Sequence, residues 1–146
     1  MLLLFPKRMK NFEFLGHTAD IRLRVYGKDF ESLFMNAAKG LYSLMECRYA
    51  DGQDKEATEV EVSADSAENL LVRFLNELIY YAEVKKSGGE ILVSAVKKLK
   101  KKYCLRFKIE RRKIKALGRE VKAATYHNMK IEQEEGFLSV SLIFDV

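Results

Sequence analysis

The chain has 146 residues, of which 48% are apolar and 32% charged, and carries a formal net charge of +5. That length suits one domain with a real hydrophobic core, and the composition excludes a disordered or low-complexity chain. No apolar run approaches the roughly 20 residues that a membrane-spanning helix needs.

Met1-Leu2-Leu3-Leu4-Phe5 is apolar, but Pro6-Lys7-Arg8 follows it at once. A secretory leader places its charges before a longer apolar stretch, so export is not expected. Residues 1–10 are read as a flexible or alternative-start extension of a single domain spanning 1–146. Cys47 and Cys104 form no CxxC pair and sit in apolar stretches. They are expected to be buried free thiols, which fits a reducing, cytoplasmic compartment.

Phe12 to Leu15 and Asp20 to Gly27 read as strands; in the second, Ile21, Leu23 and Val25 alternate with Arg22 and Arg24. Asp29 can cap a helix running to about Met45, whose apolar positions recur at helical spacing. Tyr49 to Lys55 is polar, contains Gly52 and reads as a loop. Val60 and Val62 alternate with Glu59 and Glu61, a third strand. Asp65 or Ser66 can cap a second helix that buries Leu70, Leu71, Phe74, Leu75, Leu78, Ile79 and Ala82; Glu68 stands where a capping box from Asp65 would want it. Gly88-Gly89 is expected as a turn. Strands are then expected over Ile91–Val96, Tyr103–Ile109, Val121–Ile131 and Phe137–Val146. Strands and helices in this order favour an α+β domain, with two helices packed on one side of a mixed or largely antiparallel sheet.

Between Lys97 and Lys115 stand eleven Lys or Arg residues and one acid, Glu110; the rest of the chain has fifteen basic and twenty acidic residues. One segment therefore makes this protein basic. It is expected to form a surface hairpin or loop rather than core, with Lys100, Lys101, Lys102, Arg111 and Arg112 as candidate contacts to RNA or a protein partner.

Three constellations could carry chemistry. His17 and Asp20 lie three residues apart in a loop between strands. Asp145 is an acid near the end of an apolar strand, followed by Val146, and burying it would require a partner or a cation. Lys122, Thr125, Tyr126, His127 and Asn128 crowd one predicted strand, where alternation separates Lys122 and Tyr126 from Thr125 and His127. There is no glycine-rich phosphate loop, GxSxG or HExxH. A zinc site from His17, His127 and a carboxylate would lack the usual close ligand spacing. Oxygen ligands from Asp20 and Asp145 suit a hard cation better.

The run Phe12-Glu13-Phe14-Leu15-Gly16-His17-Thr18-Ala19-Asp20-Ile21 is followed by Tyr26-Gly27-Lys28 and by the helix segment Leu70 to Tyr80, with its Leu75-Asn76-Glu77-Leu78. Glu120-Val121-Lys122-Ala123-Ala124-Thr125-Tyr126-His127 and the terminal Phe144-Asp145-Val146 come after it. In this order the segments resemble the archease family over nearly the whole chain after residue 11. The chain departs from the family pattern at Gly16, at Phe74 in place of Trp, and at Arg111-Arg112-Lys113 and Lys115.

The resemblance implies a protein cofactor, not an enzyme, that assists RtcB-type RNA ligases in tRNA splicing and RNA repair by speeding guanylylation and multiple turnover. It implies a divalent cation, Ca²⁺ or Mg²⁺, held by Asp20 and Asp145 with an oxygen of Val146 as third ligand. His17, Lys122 and His127 are implied as supporting or activity-linked residues. The alternative, resting on the basic segment, is an RNA-binding module or a chaperone for RNA-modifying enzymes, with RNA or tRNA as partner. Neither reading involves a membrane.

Overall fold

A computed structural model describes residues 10–15, 20–52, 56–125 and 129–146. The elements, in chain order, are β1 (Phe12–Leu15), β2 (Asp20–Gly27), α1 (Phe30–Met45), β3 (Cys47–Tyr49), β4 (Glu56–Ala64), α2 (Ala67–Glu83), β5 (Ser87–Leu99), β6 (Lys102–Leu117), β7 (Ala123–Thr125), β8 (Glu132–Glu134) and β9 (Phe137–Asp145).

Both helices begin where their capping chemistry dictates. Asp29 Oδ1 accepts from the Ser32 N–H at 2.8 Å, and the Asp29 N–H donates to Ser32 Oγ at 3.1 Å, a reciprocal capping box. At α2 the cap is Ser66, whose hydroxyl accepts from the Asn69 N–H at 3.0 Å. Asp65 instead accepts from the Asn69 side-chain amide at 2.6 Å. Glu68 makes no capping box and reaches the Ile131 N–H at 3.0 Å.

The strands form two antiparallel sheets where one was expected. In the first, β2 lies between β1 and β9, while β7 and β8 pair with β9. In the second, the long β6 pairs with β5 and β4, and its C-terminal end with β3. The helices lie between the sheets. Helix α1 packs on β2 and β1 on one side and on β5 on the other, while α2 packs on β4, β5, β6 and β7. A chain of rings ties these layers: Phe34 stacks on Phe74 with centroids 5.7 Å apart, and Phe74 meets Phe107 edge-on at 4.9 Å. All three are fully buried.

Five expectations about local structure change. Gly88 and Gly89 make no turn but open β5. Gly89 has φ +155 and lies so close to the Glu110 carbonyl that a Cβ would collide with it. The span 121–131 is not one strand: among its described residues Ala123–Thr125 pair with β9, while the Val121 and Ile131 N–H groups on either side go to Glu83 and Glu68 of α2. Within 49–55, Tyr49 belongs to a short strand with Cys47 and Arg48. The basic segment is a hairpin, as expected, yet it also supplies core: Leu105, Phe107, Ile109 and Ile114 are buried while Arg106 and Lys108 are exposed. Charge counting hid a period-2 alternation. Cys47 and Cys104 are free thiols, half-buried rather than buried. No described helix is long and apolar enough to cross a membrane.

Candidate functional site

Asp20 opens β2 and Asp145 closes β9, and the register pairs them directly. Directly opposed residues on adjacent antiparallel strands have Cβ atoms about 4.5–5.5 Å apart and share a face. That face is the one turned away from the helices, because Ile21, Leu23 and Val25, and Val140, Leu142 and Phe144, fill the core on the other side. Among the described residues neither carboxylate has an ion-pair or hydrogen-bond partner. Opposed like charges destabilise a strand pair unless something positive lies between them.

On the other flank of Asp145 stands Ala123, whose small side chain leaves room at the acid pair. Lys122, an exposed residue, donates its backbone N–H to the Asp145 carbonyl at 2.8 Å, which fixes its main chain beside the pair. The β7 strand is held there by Asn76 on α2. Its Oδ1 accepts from the Ala124 N–H at 2.8 Å, and its Nδ2 donates to the Ala124 carbonyl at 3.3 Å. Glu83 and Glu68, on the same helix, accept from the Val121 and Ile131 N–H groups at 3.3 and 3.0 Å. Helix α2 thus holds Val121, Ala124 and Ile131 in place behind the acid pair. Asn76 was missed as a site residue; the signal was an amide next to the buried Leu75 and Leu78 of α2.

The same sheet face continues with an ordered polar row. Arg24 donates to Ser141 Oγ at 3.2 Å and Ser139 Oγ at 3.4 Å. Tyr26 donates its hydroxyl to Glu13 at 2.7 Å, and burial, then this carboxylate, push its phenol up from the ordinary value. Arg22 is exposed and lies diagonal to Asp145, opposite Ile143. A cleft of about 260 Å³ opens one residue along the chain from Asp20, lined by Ile21, Leu44, Arg119 and the exposed Phe14.

The remaining candidates fall elsewhere. Val146 follows Asp145 and is 40% exposed. His17 and His127 lie outside the described residues, as do Gly16, Tyr126 and Asn128. Arg111 and Arg112 are already engaged: Arg111 donates to Thr58 at 2.9 Å and pairs with Glu56 at 2.8 Å. Arg112 lies over the Tyr49 ring at 4.4 Å. Lys100, Lys101 and Lys102 are fully on the surface at the hairpin end.

The donor set is compatible with a hard cation and little else. It consists of carboxylate oxygens with backbone oxygen nearby, and no sulfur or described imidazole. Among the described residues no three His, Cys, Asp or Glu side chains gather as a ligand group, so the acid pair would need a third oxygen from Val146 or water.

The sequence matches the archease protein family over residues 12–146, so the chain belongs to the archease family. The protein archease of Pyrococcus abyssi is 34% identical over 143 residues, covering 94% of this chain and 100% of its own. That of Sulfurisphaera tokodaii is 32% identical over 145 residues, with 94% and 100% covered. The solution structure of Methanobacterium thermoautotrophicum protein 1598 superimposes with a TM-score of 0.74 at 29% identity, covering 94% of this chain and all of the other. The crystal structure of a Thermotoga maritima archease, described as a possible chaperone, gives 0.62 at 25% identity, with 97% and 100% covered.

Proposed function

We propose that this chain is a non-catalytic, cytoplasmic cofactor of an RtcB-type RNA ligase, promoting the ligase's guanylylation and repeated turnover in tRNA splicing and RNA repair. The observation that carries the reading is the direct opposition of Asp20 and Asp145 on one exposed sheet face, in a chain of the archease family. Asp20 and Asp145, with an oxygen of Val146, would hold a Ca²⁺ or Mg²⁺ ion. Such an ion, when bound, would supply a compact positive charge for phosphate oxygens at the ligase's active site. The chain's own residues do the rest. Asn76 keeps β7 against β9, Ala123 leaves space beside the acids, and the Lys122 backbone N–H ties the start of that segment to Asp145.

The test is to add the protein in sub-stoichiometric amounts to its host's ligase with GTP and a 3′-phosphate RNA. Faster guanylylation and multiple turnover are expected, with no ligase or nuclease activity from the protein alone. A ligase whose rate and turnover do not change would dismiss the reading.

A further inference from the structure

The β5–β6 hairpin ends in a two-residue turn, Lys100-Lys101, closed by the pair Leu99–Lys102. Lys97, Lys98, Lys100, Lys101 and Lys102 are all exposed. The neighbouring acidic strand β4 stops where Ala64 pairs with Tyr103, and the Asp65 that follows accepts from the Asn69 side-chain amide, so the Lys100-Lys101 turn lies past β4. This divides the basic segment in two. In the body, Arg106 meets Glu59 and Glu61 at 3.5 Å each, and Arg111 meets Glu56. At the tip no acid occurs in the chain between Glu90 and Glu110, and among the described residues no tip lysine has an ion-pair partner. Only Lys98 has a ring contact, 5.5 Å from the Tyr103 centroid.

The tip does not serve the acid pair either. Near the start of α1, Glu31 accepts from the Val96 N–H at 3.0 Å, whereas the other end of α1 meets Ile21 beside Asp20 through Leu44. The two features therefore lie at opposite ends of α1, which at 16 residues is about 24 Å long. That separation exceeds the roughly 8–10 Å Debye length at ordinary salt, so the lysines do not neutralise the aspartates. Local stability does not account for the turn sequence. Lys100 has φ +52, a left-handed conformation that favours glycine or asparagine in a two-residue hairpin.

We propose that this lysine tip is a docking element for the phosphate backbone of a nucleic acid, read through charge alone. Lysine ammonium groups contact phosphates and read neither base edges nor a 2′-hydroxyl, so RNA and DNA should bind alike. The proposal stands apart from the cofactor reading because it concerns the isolated protein and the opposite end of the molecule.

Fluorescence anisotropy with labelled oligouridylate and oligothymidylate, across a KCl series and without ligase, tests it. With five phosphate contacts, affinity is expected to fall on the order of 100-fold between about 50 and 200 mM salt. In the Lys100→Ser, Lys101→Ser, Lys102→Ser variant the fall should shrink to roughly 10-fold or less, since two contacts remain. Lys100→Gly supplies the fold control. It should weaken binding while leaving the melting temperature equal or higher, because the turn strain is relieved. Unchanged salt dependence in the triple variant would overturn the proposal, as would no binding at the lowest salt. Binding of polyglutamate in place of either oligonucleotide would overturn it in favour of an acidic protein partner.

Discussion

Asp20 and Asp145 stand directly opposite each other on β2 and β9, with no positive side chain paired to either among the described residues. A fold selected for stability alone has no use for that arrangement. Opposed like charges on neighbouring strands destabilise by up to about 1 kcal/mol. Asp20→Asn is therefore expected to raise the melting temperature slightly in chelator. In millimolar Ca²⁺ or Mg²⁺ the order should reverse, because a bound ion stabilises only the wild type. A wild-type melting temperature that ignores both cations would separate the acid pair from metal binding.

Asn76 answers both backbone groups of Ala124, so Asn76→Ala leaves a buried N–H and C=O unpaired. A loss of about 1–3 kcal/mol is expected in denaturant unfolding. Faster amide exchange at Ala124 should accompany it, and ligase activation should fall through displacement of β7. If exchange at Ala124 stays slow, the asparagine is not the clamp.

Phe74 is fully buried between Phe34 and Phe107 and joins α1, α2 and β6. Phe74→Ala is expected to destabilise by roughly 3–5 kcal/mol in chemical unfolding. A loss below about 1 kcal/mol would mean that the ring chain does not hold the layers together.

Asp29 links stability to pH. Hydrogen bonds from Ser32, backbone N–H first, hold its carboxyl below the ordinary value of 3.8. A depressed folded-state pKa contributes stability above the unfolded value and loses it as pH falls through the folded one. Asp29→Ala should then cost about 1 kcal/mol near neutral pH, and the gap from wild type should close as the pH falls below 3.8 and through the depressed folded-state pKa. A gap that persists in acid would assign the loss to packing instead.

Much of this was legible in the residues. Asp29 announced α1, the alternation from Ile21 to Val25 announced β2, and the apolar spacing announced both helices. What stayed hidden depends on partners distant in sequence. Glu68 looked like a capping residue, yet it serves Ile131. Gly88-Gly89 looked like a turn, yet both lie within β5, where Gly89 sits too close to the Glu110 carbonyl for any side chain. The residues of the acid pair came from recognised segments. That β2 and β9 are neighbours in register is a property of the sheet, not of either segment. Arg111 and Lys101 looked equivalent as charges, and only the pairing of β4 with β6 shows that one is engaged and the other free.

The most direct test is ligase turnover with Asp20→Ala and Asp145→Ala added separately to the host ligase, after circular dichroism shows both variants folded. Each single change is expected to abolish acceleration of guanylylation and of multiple turnover, together with Ca²⁺ or Mg²⁺ binding in calorimetry. Full activation by either variant would contradict the central claim that the opposed carboxylates are the working site.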